Sequence, residues 1–102
     1  MFSYLFIYYG GKMANNTEEM KKSIDVWTNW FKKQGNSVID HGNPTAIGKT
    51  VTKRSIRAIT GNIITGYSIF QAENLDEAIT IAKSSPQLDG GRIAIYIIMP
   101  TM

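Results

Sequence analysis

The run Phe2-Ser3-Tyr4-Leu5-Phe6-Ile7-Tyr8-Tyr9 constrains this chain more than any other segment. Its aromatic and branched residues favour a strand, whose alternate side chains point to opposite faces. One face carries Phe2, Tyr4, Phe6 and Tyr8, the other Ser3, Leu5, Ile7 and Tyr9. A strand apolar on both faces must be covered on both. The run is far short of the roughly 20 residues that a spanning helix needs. No basic residue precedes it, it stops at Gly10-Gly11, and no small-residue cleavage site follows, so it reads as a core strand rather than a targeting segment.

The rest of the chain supplies two helices and further strands. Asn16 caps a first helix with Glu19 three residues on, in the pattern of a capping box. Met20, Ile24, Trp27 and Phe31 then form a stripe that Val26 and Trp30 widen, and Gly35 ends it. Ser37 to Asp40 reads as a short second strand running into a turn, His41-Gly42-Asn43-Pro44. Residues 49–59 are polar and β-leaning, suited to an edge strand or hairpin arm, and Ile64 to Ala72 is a further strand. Asn74 caps a second helix whose expected buried stripe is Leu75, Ala78, Ile79 and Ala82. Gly90-Gly91 leads into a last strand, Arg92 to Met99, also apolar on both faces. The order β-α-β-(β)-β-α-β is an α+β, ferredoxin-like pattern, and 102 residues without a linker or repeat make it one domain, residues 1–102. Two helices cover only one face of such a sheet. A second copy of the same sheet is the simplest cover for the other, so a homodimer is expected.

Gly66-Tyr67-Ser68-Ile69, Ala72, Asn74-Leu75-Asp76-Glu77-Ala78, Ala82-Lys83, Pro86 and Gly90-Gly91 together resemble the C-terminal half of the YCII-related proteins, relatives of the DGPF-domain group. Tyr4 to Gly10 resembles their opening strand, and Val38 to Pro44 their second strand and its loop. The resemblance spans the chain and implies a ferredoxin-like subunit that pairs into a dimeric α+β barrel. Some branches are credited with a histidine–aspartate pair beside a cleft, the histidine lying on the first helix. The matching stretch here is Ser23-Ile24-Asp25, without that histidine, and Ala58 to Ile63 stands where the Asp-Gly-Pro-Phe tetrapeptide would be.

Composition excludes much chemistry. With no cysteine there is no thiolate metal site or thiol nucleophile, and a lone histidine rules out multi-histidine metal motifs. Nothing implies a metal or another cofactor. Gly48-Lys49-Thr50 fails as a phosphate loop, because five residues separate Gly42 from Gly48 where four are needed and no helix follows. Asp40 and His41 are the acid–histidine combination available for proton handling, although neighbours on a strand face apart. Asn43 can orient a ligand through its amide. Tyr8, Tyr67 and Tyr96, on three strands, can line a small-molecule cleft or pack as amphipathic core and interface residues. Lys49, Lys53, Arg54 and Arg57 form a basic stretch without aromatic residues to stack bases, which fits a solvated edge better than a nucleic-acid site. The expectation is a small cytoplasmic homodimer, with no nucleic-acid or membrane partner. It would bind a small organic molecule in a cleft near the sheet–dimer boundary, with acid–base chemistry open. The alternative is a non-catalytic dimeric interaction module.

Overall fold

The computed structural model describes residues 1–100. Strand β1 (Phe2–Gly10) leads to helix α1 (Thr17–Gln34), then β2 (Val38–Pro44), the short strands β3 (Lys49–Val51) and β4 (Ile56–Ala58), β5 (Ile64–Ala72), helix α2 (Leu75–Lys83) and β6 (Gly91–Ile97). Four strands form an antiparallel sheet in the order β2-β5-β1-β6, the ferredoxin-like arrangement, while β3 and β4 pair separately as a hairpin.

Both helices begin where the sequence places their caps. The Asn16 side chain accepts the Glu19 N–H at 2.8 Å, and Asn74 accepts the Glu77 N–H at 2.9 Å. Each bond satisfies a donor that the helix start would otherwise leave open. The Glu19 carboxylate reaches back past the cap to the Asn15 N–H, at 2.7 Å. Gly35 ends α1 with φ 55°, in the region glycine enters without strain.

Both helices lie on one face of the sheet. Tyr4, Phe6 and Tyr8 of β1 and Phe70 and Ala72 of β5 pack there with Trp30 of α1 and Ala78, Ile81 and Ala82 of α2. Phe6 and Phe70 are fully buried, with ring centroids 4.5 Å apart. The helix stripes differ from the expected ones. Trp30, 5% exposed, is the buried tryptophan of α1, Trp27 is half-buried, and Met20 and Ile24 stand open. The reason is a contact from the far end of the chain: the Trp30 indole N–H donates to Ser84 Oγ at 2.8 Å, drawing that ring under the end of α2. In α2, Ile81 takes the buried place expected for Leu75, which is 41% exposed at the helix start.

Among the described residues, nothing covers the opposite face of the sheet. Cross-strand partners share a face. The pairs Leu5–Ile69, Ile7–Tyr67, Leu5–Tyr96 and Ile7–Ala94 therefore form a continuous apolar surface there. At its margin the Arg92 guanidinium lies 4.5 Å from the centre of the Tyr9 ring. Among the described residues, no helix is long and apolar enough to cross a membrane.

Candidate functional site

The candidate residues gather around β2, where sequence and structure differ most. His41 to Pro44 is not a loop after the strand; it is the strand, hydrogen-bonded to β5 through Pro44. Two irregularities make this possible. Val38 pairs with Phe70 but Asp40 with Ile69, and Asn43 pairs with Tyr67, so each interval carries one more residue on β2 than on β5. These are β-bulges, on an edge strand where bulges are common. At the second, Gly42 has φ 77° and passes so close to β5 that a Cβ would lie 1.7 Å from the Tyr67 carbonyl oxygen. The Asp40 carboxylate closes the bulge by accepting the Gly42 N–H at 2.8 Å.

The bulges sort the candidate side chains onto two faces. Asp40 and Asn43 pair with Ile69 and Tyr67, residues of the open face. There the Asn43 Nδ2 donates to the Tyr67 hydroxyl at 3.2 Å. Tyr96 lies on the same face, two strands further across the sheet beside Leu5. His41 lies on the helix side, its ring edge-on to Phe31 of α1 with centroids 4.5 Å apart, and is exposed. Asp40 and His41 thus face apart, as neighbours on a strand are expected to.

Tyr8 does not join the other two tyrosines. It belongs to the helix side, where its ring meets Trp27 at 5.3 Å in an edge contact. The three phenols therefore do not line one cleft. The Tyr8 hydroxyl donates to Ser68 Oγ at 2.7 Å, and Ser68 Oγ donates to the His41 carbonyl at 2.6 Å. Burial pushes the Tyr8 phenol from 10.0 up to about 12, against the smaller lowering effect of its bond to Ser68. This buried chain fixes the backbone of the bulge from below. Ser68, fully buried, is the residue that sequence reasoning passed over. Its signal was a hydroxyl on the same strand face as Phe70, beside Gly66, which lies directly opposite Tyr8 and leaves room for its ring.

Two surface concavities border the β3–β4 hairpin rather than the Asp40–His41 step. One is edged by Thr50, Lys53 and Arg57, and the other, of about 230 Å³, by Thr45, Ile47, Ile59 and Ile63. Among the described residues, no group of three or more histidine, aspartate or glutamate side chains is placed to hold a metal ion.

The family model for the YCII-related domain matches residues 1–102. The chain belongs to the YCII-related family. No curated protein matches it. Among solved structures it is similar to 5-chloro-2-hydroxyhydroquinone dehydrochlorinase (TftG) from Burkholderia phenoliruptrix AC1100, in complex with 2,5-dihydroxybenzoquinone. The likeness covers 90% of each chain at 14% identity, with a TM-score of 0.51. At that identity it establishes the shared α+β fold.

Proposed function

We propose that this YCII-related chain works in the cytoplasm as a homodimer, closed by its uncovered sheet face, and holds a small organic molecule at the β2 margin of that face. The observation that carries this reading is the coincidence of two features on one surface. The apolar centre, Leu5, Ile7, Ile69 and Ala94, suits burial against a second copy. The margin carries Asp40, Asn43 and Tyr67 in register on adjacent strands. A second sheet laid over the centre would roof that margin and make a cleft of it.

The margin offers a defined chemistry. One Asp40 carboxylate oxygen is engaged by Gly42, and the other can accept a hydroxyl proton from a ligand. The Tyr67 O–H can donate, and the Asn43 carbonyl can accept. Such a set suits a compact molecule bearing hydroxyl and carbonyl groups, with Ile69 as apolar floor. The dihydroxybenzoquinone of the structural neighbour has that character. Asp40 is then the proton-accepting group. His41, facing α1 against Phe31, stands apart from that group.

The test is an amide NMR titration with 2,5-dihydroxybenzoquinone and simple dihydroxybenzenes, beside sedimentation of the free protein. A dimer at micromolar concentration, with shifts concentrated at Asp40, Asn43 and Tyr67 and weakened by Asp40→Asn, is the expected result. A stable monomer refutes the assembly. A dimer with no shift at millimolar ligand leaves the non-catalytic interaction module.

A further inference from the structure

The β3–β4 hairpin stands outside the main sheet, and the molecule is correspondingly spread. Its radius of gyration is 15.1 Å, where about 13 Å is usual for a domain of this length. An isolated two-stranded hairpin is marginal in water and needs something to pack against. Val51 and Ile56 are cross-strand partners on one face of it, 71% and 72% exposed. Around them stand Lys49, Lys53, Arg54 and Arg57, the whole charge of residues 41–72, with no carboxylate among them. Immediately beyond, the start of α2 has the converse make-up. Leu75 is exposed there among Glu73, Asp76 and Glu77, with no cation between them. The ion pair found among the described residues is Lys22–Glu18, at 3.6 Å on α1, so neither cluster has an ion-pair partner among the described residues.

We propose that the hairpin is an arm that docks on the α2 start of a second copy, seating Val51 and Ile56 against Leu75 and setting Lys53, Arg54 and Arg57 against Glu73, Asp76 and Glu77. This rests on the self-association proposed above and adds a second contact to it. Complementary charge fixes the register of an arm whose apolar contact is small. It also explains why exposed valine and isoleucine sit on a strand pair that the core does not use: the partner covers them. In a two-fold dimer each copy gives one arm and receives one.

The chain has no cysteine, so single cysteines report the contact directly. Val51→Cys protein is mixed with Leu75→Cys protein and oxidised, and the products are resolved by mass. The expected product is the mixed disulfide, Val51→Cys to Leu75→Cys. In parallel, Lys53→Glu/Arg54→Glu/Arg57→Glu is expected to weaken self-association by about tenfold or more, and adding Glu73→Lys/Asp76→Lys to restore most of it. A wild-type chain that sediments as a monomer overturns the self-association and the arm together. A wild-type dimer that gives no mixed disulfide and ignores the charge reversal overturns the arm alone. Tight, salt-sensitive binding of duplex RNA that the reversal abolishes, with self-association unchanged, assigns the cations to nucleic acid and also overturns it.

Discussion

Gly42→Ala should be the most damaging methyl group that can be added to this protein, and three other glycines show why. Gly61 and Gly42 have nearly the same backbone angle, φ 80° and 77°, but a Cβ on Gly61 meets nothing within 4 Å. Alanine at Gly61 therefore bears only the left-handed backbone penalty, about 1–2 kcal/mol. Gly35, at φ 55° with open space around it, belongs with it. Gly48 has neither a positive φ nor a neighbour, so alanine there should be neutral or stabilising by a few tenths to about 1 kcal/mol. At Gly42 the new Cβ would lie 1.7 Å from the Tyr67 carbonyl oxygen and 2.6 Å from its carbon, both backbone atoms of a central strand. No rotamer change relieves that. The bulge must lift away from β5, and the Asn43–Tyr67 and Ser68–His41 bonds go with it. Losing the His41 carbonyl leaves the buried Ser68 hydroxyl without its acceptor, worth about 1–3 kcal/mol. With the backbone penalty, the total is about 2–5 kcal/mol. A domain of this size has about 5–15 kcal/mol in all. Urea titration of the four alanine variants gives the order, and amide exchange shows whether the damage is confined to β2. Gly42→Ala within about 0.5 kcal/mol of Gly61→Ala, near the usual limit for changes away from special features, would refute the close approach and the bulge with it.

Two further outcomes follow from the core. Trp30→Ala should cost about 3–5 kcal/mol and Trp27→Ala clearly less, by urea titration, because the first ring is buried and bonded to Ser84 while the second is half-buried; equal costs would refute the helix phase. Unfolding free energy should hold up to about pH 10 and then fall towards pH 12. The unfolded Tyr8 phenol ionises near 10.0 while the folded one keeps its proton to about 12, so the unfolded state binds fewer protons across that window. The lost stability is about 2–3 kcal/mol, and Tyr8→Phe should remove that part of the decline; a variant that falls as steeply as wild type would place the ionisation elsewhere.

What was legible in the sequence was legible because it is local. Asn16 with Glu19 and Asn74 with Glu77 are caps decided within one turn, and both hold in the structure. The two apolar faces of β1 were readable for the same reason, since alternation along one strand needs no partner. The errors all needed a partner. Which of Trp27 and Trp30 is buried depends on Ser84, which lies beyond two strands and a hairpin. Grouping Tyr8 with Tyr67 and Tyr96 failed on register: only the pairing of Tyr8 with Gly66 and of Ile7 with Tyr67 shows that the first tyrosine faces the helices and the second faces away. His41 to Pro44 has the composition of a turn, but β2 pairs through β5 alone, and an edge strand tolerates both a proline and a glycine in a bulge.

The bulges also decide which side chains can serve one site. With Val38 turned to the core, an unbroken strand would turn Asp40 and Gly42 to the core as well, and would send His41 and Asn43 together to the open face. A carboxylate would then be driven beneath α1 and the imidazole would stand beside the amide. The first extra residue, between Val38 and Asp40, reverses this and brings Asp40 out next to Ile69. The second, between Asp40 and Asn43, reverses it again, so that two residues three apart share a face with Tyr67. His41 is left on the inner side against Phe31. Backbone geometry, rather than the identity of the residues, therefore takes the histidine out of the margin and sets the acid there with the amide and the phenol. Gly42 supplies the φ that the second reversal requires, and the Tyr8–Ser68 chain holds the carbonyl at that point. A substitution in either part should rearrange the Asp40–Asn43–Tyr67 margin without touching any of its three side chains.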